Sequence, residues 1–115
     1  MRPKGSRLSS KPGARARAWK SMRILRQFTQ ADLQITAEIR EKNVAAFVRP
    51  LVKAGFVRIH KPRRGGHSPH VYQLVRDTGP LAPIPWKNGE VLDQNTRTIY
   101  DANGEVVIPT GERPR

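Results

Sequence analysis

The sequence contains no cysteine, which excludes disulfides, thiolate nucleophiles and cysteine-based zinc sites. It also has no apolar run near the ~18 residues that span a bilayer, and no apolar segment follows the basic N-terminus as a secretory signal requires. Aromatic residues are few, with two Trp, two Tyr and three Phe in 115 residues, so any core must be compact. We therefore expect a small cytoplasmic protein that does not enter the membrane.

Acidic residues are scarce in the first two thirds of the chain. Residues 1–76 contain 18 Lys/Arg and 3 Asp/Glu, a net charge of +15, whereas residues 77–115 contain 4 and 6, a net charge of −2; together they give the +13 of the whole chain. A basic segment beside a slightly acidic one is typical of proteins that bind a polyanion. Nucleic acid is the expected partner.

Residues 1–17 form a basic segment of their own, with six Lys/Arg and no acid among Gly, Pro and Ser. Such a composition buries too little apolar surface to offset the entropy of ordering, so we expect a disordered basic arm. Arms of this kind bind phosphates or a minor groove, which makes Arg15 and Arg17 candidate DNA contacts. A solubilising tail is the alternative.

Three helices are predicted between the arm and Gly55. The first covers about residues 16–27, where apolar residues recur with helical spacing. Thr29 is predicted to cap the second, with Asp32 in its first turn. A break is expected at 38–40, because an unbroken helix over 30–54 would be ~37 Å long. The third helix covers about 41–54 and ends at Gly55.

The third helix has two contrasting faces. Val44, Phe47, Val48 and Leu51 share one of them, and the opposite one carries Lys42, Ala46, Arg49 and Lys53. Three cations, no acid and one small residue suit a DNA major groove, although an ordinary solvated face is the alternative. Pro50 predicts a kink or a shortened helix.

A β-hairpin is predicted after Gly55. Its strands are 56–60 and 71–75, and Gly65-Gly66 permits the reversal between them. Lys61, Arg63 and Arg64 place cations without a neighbouring acid at its tip, as in a wing that contacts phosphates or a minor groove.

The rest of the chain is predicted to be a Pro-rich linker followed by a hairpin tail. Asn103-Gly104 lies between two β-rich runs and predicts a type I′ turn, and Asn88-Gly89 is a second pair of the same kind. An isolated hairpin is marginal in water. The tail should therefore pack on the domain or on a partner, or else stay disordered.

Together these segments resemble the winged helix-turn-helix of small bacterial and phage transcriptional regulators over residues 29–72. The resemblance rests on Phe28-Thr29, Asp32-Leu33, Val44, Phe47-Val48, Leu51, Ala54-Gly55-Phe56-Val57 and Tyr72-x-Leu74. It implies an α+β fold with three helices and a hairpin wing. The organisation expected is a disordered basic arm (1–17), a winged-helix domain (18–78), and a linker with a β-hairpin tail (79–115).

The resemblance also implies that the third helix enters the major groove of double-stranded DNA while the wing contacts backbone or minor groove. The reading positions would be Arg40, Lys42, Asn43, Ala46 and Arg49, with Lys53 added by the cationic face, and the wing positions Lys61, Arg63 and Arg64. Asn43 suits adenine, and Arg40 or Arg49 suits guanine. The expected function is that of a small transcriptional regulator or replication accessory factor.

Two other functions stay open, because a fold alone does not define a function. One is a protein-interaction adaptor built on the same scaffold, with a protein partner or self-association through the tail. The other is an RNA- or ribosome-associated basic protein. Enzymatic activity and a cofactor are not expected. A metal site is not expected either, because His67 and His70, with His60 upstream, lie in an Arg-rich hairpin that would repel a divalent metal.

Overall fold

The computed structural model describes residues 13–62 and 69–107, which form a mixed α+β fold of three helices and two small antiparallel sheets. In chain order the elements are α1 (Ala14–Leu25), β1 (Gln27–Phe28), α2 (Gln30–Thr36), α3 (Glu41–Lys53), β2 (Val57–Lys61), β3 (Val71–Leu74), β4 (Ile84–Pro85), β5 (Val91–Asp93) and β6 (Thr98–Tyr100). The sheets have the strand orders β1-β3-β2 and β4-β5-β6. The three helices and the first three strands are compatible with the expected winged-helix layout.

Helix α1 begins and ends earlier than the sequence predicts. It covers Ala14–Leu25 instead of 16–27, so the last part of the predicted disordered arm is helical. Arg17, assigned to that arm, donates from its guanidinium to the backbone carbonyls of Ala37 at 2.8 Å and Glu38 at 3.2 Å. The arm prediction fails here because composition reports only local tendencies, whereas Arg17 is held by a turn about 20 residues away.

Helix α2 begins as predicted. The Thr29 hydroxyl accepts the Asp32 N–H at 3.1 Å, and the Asp32 carboxylate accepts the Thr29 N–H at 2.9 Å, which is a complete capping box. The predicted break at 38–40 is also confirmed. Glu38 takes a left-handed φ of +57° where glycine is usual, and the bonds from Arg17 hold the carbonyls of this turn.

Thr29→Ala is expected to destabilise the protein by about 1 kcal/mol, because it removes the side-chain acceptor of the capping box. Urea denaturation of the variant and the parent measures this difference. Ile35→Ala on the same helix is the control, because Ile35 is exposed and its loss should change stability by less than about 0.5 kcal/mol. Equal effects of the two substitutions would contradict a role for the cap.

Helix α3 continues through Pro50 to Lys53, so of the two alternatives predicted at Pro50, a kink or a shortened helix, the shortening does not occur. Pro50 lies in the last turns of the helix and is only half-buried. Just beyond the end of the helix, Gly55 has φ +89° and donates its N–H to the Val52 carbonyl at 3.2 Å, while the Phe56 N–H donates to the Leu51 carbonyl at 2.9 Å. These two bonds form a Schellman motif and confirm Gly55 as the residue that ends the helix.

One hydrophobic core joins the helices to both sheets. Its buried members include Trp19, Phe28, Leu33, Val44, Phe47, Leu51, Phe56, Val57, Tyr72, Leu74, Ala82 and Val91. Ala82 and Val91 belong to the predicted linker and tail. The tail therefore packs on the rest of the chain, one of the alternatives above, but as a three-stranded sheet and not as a hairpin.

Polar contacts fix the tail at the end of the first sheet. The Arg76 guanidinium lies 4.2 Å from the Tyr100 ring centroid and 5.3 Å from that of Phe56, and it donates to the Ala54 carbonyl at 3.1 Å. The Trp19 indole N–H donates to the Gly79 carbonyl at 2.8 Å. The predicted linker is thus tied to α1 at Gly79, and Arg76 holds Tyr100 of the tail at the end of α3.

The fully buried Asp93 organises the turn between β5 and β6. Its carboxylate accepts bonds from the Thr78 hydroxyl at 2.8 Å, the Asn95 N–H at 3.0 Å and the Thr96 hydroxyl at 2.9 Å. Thr78 comes from the segment before the second sheet. The carboxylate therefore ties the tail sheet to the chain that leads into it.

The type I′ turn forms at Asn88-Gly89 and not at Asn103-Gly104, where it is predicted. Asn88 and Gly89 have φ +63° and +78°, the type I′ combination, and join β4 to β5. At the second pair only Gly104 has positive φ, +85°, so the predicted type I′ turn there is wrong. The Asp101 carboxylate accepts hydrogen bonds from the N–H groups of Glu105 and Asn103, and these bonds lower the pKa of Asp101. They also hold the turn in the conformation in which only Gly104 has a positive φ.

Candidate nucleic-acid interface

The exposed face of α3 carries every candidate contact that the sequence assigned to this helix and its N-cap. The six side chains are solvent-exposed: Arg40, Lys42, Asn43, Ala46, Arg49 and Lys53. The buried residues Val44, Phe47, Val48 and Leu51 lie on the opposite side. The amphipathic pattern thus holds α3 against the core by one side and presents the other to solvent.

Lys42, Arg49 and Lys53 form what we call the cationic stripe. At 1.5 Å per residue the stripe is ~16 Å long, with Ala46 between its members on the same face. None of the three forms an ion pair with any residue in 13–62 or 69–107. Their charge is available to an outside anion.

Other basic residues of the first part have structural partners. Arg23 donates to the Asp77 carboxylate at 2.9 Å, and Arg26 lies 3.3 Å from the same carboxylate. Arg76 is engaged with Tyr100 and the end of α3. The basic excess of residues 1–76 therefore divides into cations that hold the fold and cations, such as the cationic stripe, that face solvent.

A cleft separates α3 from the sheet on one side of the cationic stripe. This cleft, about 340 Å³ in volume, is lined by Arg49 and Lys53 on the helix and by Ile59, His70 and Tyr72 on the strands. The predicted wing thus begins beside the cationic stripe. Lys61 on β2 is exposed, while Arg63 and Arg64 lie outside the described residues.

A second depression, which we call the tail-side hollow, borders α3 on its other side. It has a volume of about 310 Å³, and Arg15, Asn43, Ala46 and Pro85 are among its lining residues. The structure therefore brings Arg15, predicted for the arm, together with two α3 positions, while Arg17 points to the turn before α3. Sequence spacing alone gave no reason to separate these two arginines.

The tail adds residues that the sequence reasoning missed. Trp86 directly follows Pro85 and is 49% exposed, and the exposed Lys87 comes next. The run Pro-Trp-Lys before an Asn-Gly turn was visible in the sequence, but nothing local showed that β4 packs near α3. Its position depends on the long-range packing of the tail.

Comparisons of the chain with protein-family models, with curated proteins and with solved structures find no match. No helix in the described ranges is long and apolar enough to cross a membrane. Functional inference therefore rests on the surface of the molecule itself.

Proposed function

We propose that this protein is a winged-helix protein that binds double-stranded DNA, with α3 in the major groove and the β2–β3 hairpin against the backbone or minor groove. One observation carries the proposal: the cationic stripe lies exposed on the side of α3 opposite to its buried face, and it forms no ion pair with the part of the chain that the structure describes. A groove lined by phosphates attracts such a face, and Ala46 leaves room for close approach.

The surroundings of α3 also support DNA as the partner. Arg40 at the N-cap and Arg15 in the lining of the tail-side hollow extend the positive surface next to α3, and Lys61 on β2 is a further exposed cation. Arg40 and Asn43 lie at the first turn of the helix, where side chains reach base edges in helix-turn-helix docking. The role we propose is that of a small transcriptional regulator or replication accessory factor.

Salt dependence of duplex binding tests the proposal. Six exposed cations lie on α3, at its N-cap or on α1 and β2: Arg15, Arg40, Lys42, Arg49, Lys53 and Lys61. If each neutralises one phosphate, log K against log salt should fall with a slope of about −5. Fluorescence anisotropy of a labelled random duplex between about 50 and 300 mM salt measures that slope.

The same titration separates the other functions. Absence of duplex binding at about 50 mM salt would contradict the proposal and favour a protein-interaction adaptor, since a patch of this charge binds DNA even without specificity. Tighter binding of a structured RNA than of the duplex at matched salt would favour an RNA-associated protein.

A further inference from the structure

A third depression, which we call the α1 groove, follows the solvent side of helix α1. It has a volume of about 740 Å³, more than twice that of either depression beside α3. Residues of α1 between Ala16 and Leu25 form most of its lining, and Thr36 at the end of α2 and Pro80 complete it. None of these residues belongs to α3 or to the wing, so the α1 groove is a surface separate from the candidate DNA interface.

Two hydrogen bonds fix the segments that complete the α1 groove. The Thr36 hydroxyl bonds the Ser21 hydroxyl at 3.0 Å and joins the end of α2 to α1. The Trp19 indole N–H donates to the Gly79 carbonyl at 2.8 Å and holds the chain directly before Pro80. The groove is therefore formed before a ligand arrives, which lowers the entropy cost of binding.

The lining combines apolar and basic side chains. Ile24 is 69% exposed and Leu25 is 38% exposed, and Pro80 adds a third apolar surface. No acid is among the lining residues that the structure describes, and the charged ones are all basic: Arg17, Lys20 and Arg23. Lys20 is exposed and forms no ion pair within residues 13–62 and 69–107. A ligand that complements this surface needs apolar and negatively charged side chains together.

We propose that the α1 groove binds an acidic amphipathic helix of a partner protein. The apolar side of that helix packs against Ile24, Leu25 and Pro80, and its carboxylates face Lys20 and the neighbouring arginines. The stretch from Ala16 to Leu25 is ~14 Å long, so about two and a half turns of a partner helix cover it. This site adds a protein partner to the proposed DNA binding and does not depend on it.

A helix fits the α1 groove better than an extended peptide does. The described lining residues lie on α1, at the end of α2 and in the segment before β4, and none belongs to a strand. An extended peptide needs a strand edge to pair its backbone, whereas a helix satisfies its own backbone hydrogen bonds and presents side chains at i, i+3, i+4 and i+7. Recognition in the α1 groove therefore depends on side chains.

Charge and polarity argue against two other occupants, a second copy of the chain and DNA. In a two-fold dimer the same patch faces itself, which would bring Lys20 and its neighbouring arginines close to their own copies, in a chain of net charge +13. DNA would match the cations but would place charged phosphates against the apolar side chains of Ile24 and Leu25. A ligand with both kinds of side chain complements the whole groove.

Three labelled peptides of about 16 residues test the inference by fluorescence anisotropy with the full-length protein. The first is an alanine-rich helix with leucine at i, i+3, i+4 and i+7 on one side and glutamate on the other. The second has the same composition with the leucines spread around the helix, and the third has lysine in place of glutamate. The first should bind with a Kd of about 10–100 µM, at least about tenfold more tightly than either control peptide.

Matched substitutions assign the binding to the groove. Ile24→Glu should weaken binding of the acidic peptide at least about tenfold, because it removes an apolar contact and sets a carboxylate against those of the peptide. Lys20→Glu should weaken it at least about fivefold. Ile35→Glu is the control, because Ile35 is 75% exposed on α2 and does not line the groove, so the same change of charge should cost less than about threefold. Circular dichroism should be unchanged in all three variants, because each side chain is exposed.

Other outcomes would overturn the inference. Failure of the acidic peptide to bind at about 200 µM, or equal binding of either control peptide, would exclude an acidic helix as the ligand. A loss of affinity for duplex DNA in Ile24→Glu that exceeds the loss in Ile35→Glu would assign the α1 groove to nucleic acid. Self-association of the parent in sedimentation velocity that disappears in Ile24→Glu would assign it to a second copy. Duplex binding by α3 is measured separately, so a negative result with the peptides leaves the proposed function intact.

Discussion

Replacing Lys42 and Arg49 together by glutamate is expected to weaken binding of duplex DNA by at least ~100-fold at about 0.15 M salt. Removing one cation–phosphate interaction lowers the affinity about fivefold at this salt, because K varies with the salt concentration to the power of about −0.9 per neutralised phosphate. Removing two therefore lowers it ~30-fold, and two carboxylates facing phosphates add repulsion. The salt slope should also become shallower by about 2.

The fold should survive this double substitution. Both side chains are exposed on the side of α3 that faces away from the core. Lys42 is the second residue of the helix, where a carboxylate interacts favourably with the helix dipole. Circular dichroism and thermal unfolding should match the parent, so that weaker binding reports the interface.

A matched control carries the same change of charge elsewhere. Lys20→Glu with Arg58→Glu also lowers the formal charge from +13 to +9, since each reversal removes two units. Lys20 is exposed on α1. Arg58 donates a hydrogen bond to the Gln73 side chain at 2.9 Å, on one face of the first sheet. Ile59 and Tyr72, which line the cleft beside α3, lie on the opposite face of that sheet. Charges more than about 8 Å from a phosphate are largely screened at this salt.

The control variant should therefore lose less than about tenfold of the parent's affinity for duplex DNA. Equal weakening in the two double variants would show that overall charge drives binding, and would contradict the assignment of the interface to α3. Parent-like affinity in the Lys42/Arg49 variant would exclude the cationic stripe from the interface.

Helix α3 and its boundaries could be predicted from the sequence because every determinant is local. The apolar side repeats with the helical period, Gly55 supplies a positive φ directly after the last turn, and Thr29 with Asp32 caps the preceding helix within four residues. Each signal acts over one or two turns of chain. The direction of each α3 side chain followed from that period alone.

The tail could not be predicted in the same way because its determinants are distant in sequence. The Trp19 indole donates a hydrogen bond to Gly79, 60 residues away, and Arg76 lies against the ring of Tyr100 on the last strand of the second sheet. The proline-rich composition predicts an extended linker, and such a composition says nothing about where the segment packs. The tail-side hollow needs Pro85 as a wall and therefore stayed invisible to sequence reasoning.

Phe56→Ala is expected to be the most destabilising of the single substitutions considered for this chain. The ring is fully buried and makes edge-to-face contacts with Trp19 at 6.3 Å and Tyr100 at 5.2 Å between centroids, with the Arg76 guanidinium over it. Phe→Ala at such sites costs about 3–5 kcal/mol. Small domains are stable by only ~5–15 kcal/mol, so the melting temperature should fall by at least about 10 °C.

The position of Phe56 makes this substitution a test of whether the tail and the helices share one core. Because Trp19 lies on α1 and Tyr100 on β6, the variant should unfold in a single cooperative transition at a lower denaturant concentration. Phe56→Leu, which keeps most of the volume, should lose less stability, and Ile24→Ala at an exposed site should lose under about 0.5 kcal/mol. A Phe56→Ala variant that releases the tail in a separate early transition, while the helices melt as in the parent, would contradict the shared core and with it the fixed wall that the tail-side hollow requires.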